Sequence, residues 1–429
     1  MNYARILLPL ATSLAETDWT EIGIETHLRQ RLPVRLERHA PKLARFLVAR
    51  CPGRVAPDPG RIARLLLDEP RVWRIAEFAL RNGIVPDFPL AAARFRPPPP
   101  FGSLNLPALD NVDMLATWLG LPARQLVRFA DLNALSALSG SHFAIHYRHH
   151  LIPRKSGGLR LIEEPKPLLK RLQRRVLHGI LDLVPAHPAS FGFVPGRNCI
   201  GAAARHAGEA VVIAFDLADF FPSIAASRVY GLFRAIGYPR GVARDLAGLC
   251  TTRTPREVAQ TPGLPMPANL TGRHLPQGAP TSPALANLCA NALDRRLAGL
   301  AASLDAIYTR YADDLSFSGD RRIVPILTRT VPDIVVEEGF RLNPGKTRIM
   351  TAAGRQSVTG ITVNQHVNLA RADYDRLKAV IHHLGRPGDP RRDDPAFLAH
   401  LSGRIGWVEQ VNPARGLKLR AHFDALGLA

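Results

Sequence analysis

Apolar residues recur four positions apart in the first 95 residues, as at Ile24, Leu28 and Leu32, and this spacing predicts a helical region. The prolines at 97–100 interrupt it, because such a run is stiff, extended and unable to sit inside a helix, so residues 96–104 read as a linker. Beyond it, 111–119 and 122–129 read as two short helices parted by Gly120. The period then changes. Two β-like runs, 147–152 and 159–162, bracket the turn Lys155-Ser156-Gly157-Gly158 and predict a hairpin with cations at its tip. Residues 168–183 return to an amphipathic helical pattern, and 210–216 form a continuous apolar run that ends in Asp216, as in a strand buried on both faces.

Downstream, 227–236 predicts a helix, 251–274 a long polar loop rich in Pro and Gly, and 284–302 a helix with Pro283 near its start. The run Ile307-Tyr308-Thr309-Arg310-Tyr311-Ala312-Asp313-Asp314-Leu315-Ser316-Phe317-Ser318 predicts a hairpin whose tight turn carries adjacent carboxylates. A helix over 325–338, a strand and turn over 339–347, a hairpin arm at 358–364 and a helical, basic region from 372 to the end complete the pattern. No internal repeat is visible.

Charge narrows the partner. Lys and Arg total 56 against 36 Asp and Glu, a formal net charge of +20, and such a surface favours a polyanion, nucleic acid first. A bland Arg-rich composition bias is the competing explanation. Lys170, Arg171, Arg174 and Arg175 on the 168–183 helix suit a duplex backbone. The four cysteines (Cys51, Cys199, Cys250, Cys289) are far apart with no C-x-x-C pair, which indicates neither a disulfide framework nor a zinc module and fits a reducing cytoplasm. The N-terminal apolar run is broken by Pro9 and makes a poor secretory signal, and no run reaches the length of a membrane span. A cytoplasmic protein without a membrane partner is the expectation.

Three carboxylates at the ends of β elements, Asp216, Asp313 and Asp314, are the set that phosphoryl transfer with two magnesium ions needs. Hard oxygen ligands select magnesium. Each feature alone has a plain alternative: Asp216 as a helix N-cap, the cationic hairpin tip as solvated surface, adjacent acids as a solvated turn.

Taken together, the motifs resemble a known family. Phe215-Asp216 with Phe220-Phe221-Pro222-Ser223-Ile224, Pro276-Gln277-Gly278-Ala279-Pro280-Thr281-Ser282-Pro283, Tyr311-Ala312-Asp313-Asp314, and Gly339-Phe340 with Asn343 and Lys346 stand in the order found in bacterial reverse transcriptases. Lys155, Gly158 and Arg160 match the fingers motif of the same enzymes, and the resemblance spans about residues 105–425. Thr309 to Gly319 and Val358-Thr359-Gly360 look most like the retron branch. Retron enzymes commonly carry Asn-Ala-x-x-His before the first catalytic strand, whereas this chain has Ala202-Ala203-Ala204-Arg205-His206.

The resemblance implies an α/β (α+β) right-hand polymerase, with fingers and an antiparallel palm (105–365) and a helical, RNA-binding thumb (366–429), behind the helical extension (1–95) and linker (96–104) that the pattern itself predicts. It implies that Asp216 and Asp313 bind two Mg2+ ions, with Asp314 in a supporting catalytic role and the Leu217 carbonyl as a further ligand. Lys155 and Arg160 would hold the triphosphate of the dNTP substrate. Asp219, Phe220 and Phe221 would surround the nucleotide, with Phe221 excluding a 2′-hydroxyl, Gln277 near the nucleotide and template, and Lys346 near the phosphates. Arg404 and Trp407 would join the helix cations in gripping nucleic acid. The implied function is RNA-directed DNA synthesis on a structured noncoding RNA, primed by an internal 2′-hydroxyl to give branched RNA–DNA (msDNA), with a role in antiphage defence beside an effector protein. The alternatives are another bacterial lineage, such as a group II intron-like or other defence-associated enzyme, and a non-catalytic RNA-binding scaffold.

Overall fold

The computed structural model describes residues 4–32, 34–53, 56–82, 94–132, 146–154, 157–264, 267–386 and 388–428. The chain forms two compact units, Met1–Val184 with Ala225–Thr281, and Pro185–Ile224 with Ser282–Ala429.

The first unit begins with the helices Ala4–Ala15, Glu21–Arg29, Ala40–Arg50, Pro59–Leu67 and Pro70–Arg81. Their apolar faces share one core that includes Leu14, Ile24, Leu28, Leu43, Leu47 and Ile62 around Trp19, whose indole N–H donates to the Cys51 carbonyl at 3.0 Å. Two of the helix starts are capped by side chains: Thr20 accepts from the Gly23 N–H and Asp58 from the Arg61 N–H, satisfying donors that a first helical turn leaves open. In the proline run, Pro99–Gly102 closes one helical turn, and the Arg96 N–H donates to the Gly237 carbonyl at 3.0 Å. Gly237 sits at φ 115, and a Cβ there would lie 2.3 Å from the Arg96 carbonyl oxygen, so this contact requires glycine. The expected pair of short helices is present as Val112–Leu119 and Ala123–Ala130, with Gly120 at φ 73 between them.

Strands β1 (Tyr147–Pro153) and β2 (Leu159–Pro165) form the cationic hairpin, followed by the helix Pro167–Gly179. The expected long loop at 251–274 contains two short helices, Arg256–Ala259 and Pro267–Thr271. Its return is pinned to β2, where the Glu163 N–H donates to the Gln277 carbonyl at 2.8 Å.

The second unit is built on a four-stranded antiparallel sheet of order β4-β5-β3-β6, with β3 at Val211–Asp216, β4 at Ile307–Tyr311, β5 at Asp314–Gly319 and β6 at Arg348–Thr351. Strand β3 is buried at every position, the outcome expected of an uninterrupted apolar run in a central strand. The single helix expected over 284–302 is two helices, Ser282–Cys289 and Asn291–Ser303, parted at Ala290. A two-residue turn, Thr359-Gly360 with both φ positive, joins β7 (Ser357–Val358) to β8 (Ile361–Thr362), as hairpin twist favours. Helices Arg371–Leu384, Pro395–Val411 and Pro413–Asp424 form a separate core that includes Leu377, Ile381, Leu401, Ile405, Leu419 and Phe423. Among the described residues no helix is long and apolar enough to cross a membrane.

Candidate active site

The sheet register decides which acids meet. In the pairing of β3 with β5, Asp216 stands opposite Asp314, and the Leu217 N–H donates to the Asp313 carbonyl at 2.9 Å. A buried strand end and a hairpin turn about a hundred residues later thus form one edge carrying three carboxylates. Asp216 is buried, while Asp313 and Asp314 are half-buried. The turn is tight: Ala312 takes φ 55, a left-handed conformation unfavourable for a residue with a Cβ.

Burial, then the charges of Asp313 and Asp216, push the Asp314 carboxyl up to about 6, against the opposing pull of Lys346 and Arg348. This is the electrostatic signature of acids crowded together. Lys346 Nζ stands 2.7 Å from Asp216 Oδ1. The short helix Pro344–Lys346 that carries it follows Asn343, whose N–H donates to the Asp216 carbonyl at 2.7 Å. Among the described residues no three His, Cys, Asp or Glu side chains already form a metal-ligating cluster. The donor chemistry nevertheless fits a hard divalent cation, because mutual repulsion among three carboxylates is what such an ion relieves.

An aromatic surface adjoins the acids. The turn after β3 places Asp219 at φ 47, with its carbonyl accepting from the Ser223 N–H. Phe220 is buried against Phe340, with ring centroids 5.8 Å apart, and Phe221 is half-buried, 6.2 Å from the ring of Phe193. Phe193 is half exposed at φ 60. Beside Asp314 a hollow of about 300 Å³ is bounded by Tyr311, Arg348 and Val358 to Gly360. Asp216, Leu217, Asp219, Phe220, Phe221, Asp313, Asp314 and Lys346 therefore all belong to the second unit.

The other predicted residues are carried by other elements. Arg160, exposed on β2, and Gln277 belong to the first unit, as do Lys170, Arg171, Arg174 and Arg175. Arg171, Arg174 and Arg175 are exposed on the helix Pro167–Gly179, whereas Lys170 pairs with Glu164 at 3.0 Å. Lys155, at the hairpin tip, lies outside the described residues. Arg404 and Trp407 share a groove of about 460 Å³ with His400 and Asp373 in the C-terminal helices.

Sequence reasoning missed the supports beneath these groups. Arg310 and Asp294 form a fully buried ion pair, and Glu163 and His274 form another in the first unit. His206, also fully buried, spans Ser318 Oγ and Thr309 Oγ1 at 2.7 Å each. Burial, then the nearby Arg205 charge, lowers its pKa to about 4. It therefore stays neutral and ties β4 to β5.

The family model described as reverse transcriptase (RNA-dependent DNA polymerase) matches residues 152–366. The retron Mx65 reverse transcriptase of Myxococcus xanthus is 43% identical over 291 residues, covering 65% of this chain and 66% of that protein. The retron Mx162 reverse transcriptase of the same organism is 38% identical, with 75% and 68% covered, and the retron Ec86 reverse transcriptase of Escherichia coli is 36% identical, with 76% and 92% covered. The chain thus spans about two thirds of the length of the two Myxococcus relatives. Among solved structures, telomerase from Candida albicans shows a TM-score of 0.37 at 11% identity, with 64% of this chain and 54% of that one covered. The chain belongs to the reverse transcriptases, RNA-directed DNA polymerases, and within them to the bacterial retron type.

Proposed function

We propose that this reverse transcriptase copies a structured noncoding RNA into single-stranded DNA, starting from an internal RNA 2′-hydroxyl and leaving a branched RNA–DNA product. The observation that carries the chemistry is the Asp216, Asp313 and Asp314 edge, set by the β3–β5 register. The choice of template and primer rests on the retron resemblance of the motifs, with retron reverse transcriptases among the relatives. In this reading Asp216, Asp313, Asp314 and the Leu217 carbonyl would hold two Mg2+ ions, which would supply Lewis-acid activation of a hydroxyl and charge neutralisation for pyrophosphate.

The protein's own groups do the rest. Lys346, 2.7 Å from Asp216, adds a positive charge where phosphates arrive. Phe221, with Asp219 and Phe220, forms the floor under the incoming sugar and leaves no room for a 2′-hydroxyl. Arg160 and Lys155 hold the triphosphate, and Gln277 lies by the nascent base pair. Lys170, Arg171, Arg174, Arg175, Arg404 and Trp407 grip RNA backbone and splayed bases, as recognition of A-form duplex and unpaired bases requires. Residues 1–95 are an N-terminal helical extension, 96–104 a linker, 105–365 fingers and palm, and 366–429 the thumb. The cellular role is defence against phage beside an effector protein, in the cytoplasm.

Sequencing the nucleic acid that copurifies with the protein tests this reading. A DNA joined through a 2′–5′ linkage to an RNA encoded beside the gene is expected. DNA with free 5′ ends and no RNA branch would overturn the priming proposal and leave the polymerase class standing.

A further inference from the structure

Among the described residues Arg310 is the one Arg or Lys that is buried, and its exposure is 0%. Its fork is fully engaged. Nε and Nη2 donate to the two oxygens of Asp294 at 2.7 and 2.6 Å, and Nη1 donates to Asn287 Oδ1 at 2.9 Å. Nη2 also reaches Ser190 Oγ at 3.2 Å, and Tyr308 donates its hydroxyl to Asp294 Oδ1 at 2.9 Å. The remaining bond leaves this cluster: Nη1 donates to the carbonyl of Ala312 at 3.0 Å. Ala312 is the left-handed residue of the hairpin turn, and Asp313 is its neighbour.

A second arm leads the other way. Asn287 Nδ2 donates to the Gly192 carbonyl at 2.8 Å, and the backbone of Arg310 bonds Ala189 and Phe191, each at 2.8 Å. Gly192 lies so close to the turn that a Cβ on it would fall 2.6 Å from the Ala312 nitrogen. The next residue is Phe193, whose ring faces both Phe221 and Tyr311. One guanidinium therefore fixes the back of the acidic turn, and its partner Asn287 fixes the loop carrying Phe193.

We infer that Arg310, held by Asp294 and Asn287, is a positioning residue for polymerisation: it sets the Ala312–Asp313 turn and the Phe193 loop in register with each other. The inference rests on the reading of Asp313 as a catalytic acid. Its physical basis is that the turn has an unfavourable backbone conformation and is held from behind by a rigid, five-donor group. A buried ion pair adds little net stability compared with an apolar pair of the same size. Positioning and stability can for that reason be separated by experiment.

The test compares Arg310→Met alone with the triple variant Arg310→Met, Asp294→Leu, Tyr308→Phe, which leaves neither a charge nor the Tyr308 hydroxyl unpaired. The single variant loses both melting temperature and activity. The triple variant recovers the melting temperature to within a few degrees, yet its kcat for dNTP incorporation on an RNA template stays about 10²-fold low, the scale expected when a reacting group is misplaced by about an ångström. Its KM for template–primer is unchanged, and amide hydrogen exchange speeds up in peptides covering 190–194 and 311–315. Wild-type kcat and exchange in a folded triple variant overturn the inference.

If the triple variant does not fold, Arg310→Lys, which keeps the charge but not the fork, decides. A kcat loss of about tenfold with a modest melting shift supports the inference, and unchanged kcat overturns it. Asp313→Asn is assayed in parallel. Activity retained there removes the reading of Asp313 itself, whereas an inactive Asp313→Asn beside a fully active triple variant removes only the role of Arg310.

Discussion

Replacing Glu163 by Gln breaks a buried ion pair whose effect on stability has a defined pH dependence. Glu163 and His274 are each 1% exposed. Glu163 Oε2 lies 2.8 Å from His274 Nε2, and Oε1 accepts from the Thr254 hydroxyl at 2.7 Å. His274 Nδ1 faces the Gly272 carbonyl at 2.9 Å, so both ring nitrogens meet acceptors and the imidazole is held in its protonated form. Burial opposes both charges, but the pairing wins: it raises His274 above 6.5 and lowers Glu163 below 4.5. The His274 contribution is complete below about 6.5 and is lost as pH rises through its raised folded pKa. The Glu163 contribution is complete above about 4.5 and is lost as pH falls through its lowered one. The pair therefore contributes most between these values.

Removing one partner of a buried pair costs about 3–5 kcal/mol. Gln stays neutral and keeps a bond to Thr254, so no charge is added and one bond survives, which places Glu163→Gln below that range, at about 2–3 kcal/mol at pH 6. The assay is hydrogen exchange of peptides covering 251–279, with urea unfolding of the whole chain, at pH 6 and pH 8.5. The variant is expected to exchange faster at pH 6 and to lose most of the wild-type difference between the two pH values. An unchanged pH difference, or a loss below about 0.5 kcal/mol, would mean that the Glu163–His274 pair does not set the stability of this region.

Phe221→Ala should admit ribonucleotides, measured as the ratio of kcat/KM for dNTP to that for rNTP; an unchanged ratio would remove Phe221 from the gate. His206 binds a proton on unfolding once the pH falls below about 6.5 and in the folded chain only near 4, so it destabilises the fold progressively over that interval, by up to about 3 kcal/mol. His206→Ala should leave a cavity and two unpaired hydroxyls, costing about 3–5 kcal/mol at pH 7 with a flatter acid limb; denaturant midpoints from pH 4 to pH 7 check both.

The parts of the fold that were legible in the sequence were those with a local cause. A continuous apolar run predicted β3, and β-branched and aromatic residues on either side of two acids predicted the hairpin of β4 and β5. The break at Ala290 was not legible, because neither Gly nor Pro marks it. The short helices within 251–274 were hidden in a stretch dominated by turn formers. Motif order brought Asp216, Asp313 and Asp314 into one hypothesis. The supporting pairs were not visible, because Glu163 and His274 are 111 residues apart and Arg310 sits in a strand where its charge gave no hint of burial. Buried polar networks join distant segments by geometry alone, and no period in the chain announces them.

If the acids at the β3–β5 edge polymerise DNA on an RNA template, the Asp313→Asn, Asp314→Asn variant loses Mg2+-dependent dNTP incorporation by at least about 10³-fold, while an RNA-binding measurement on the same protein shows affinity retained. Incorporation at the wild-type rate would contradict that role of the acids.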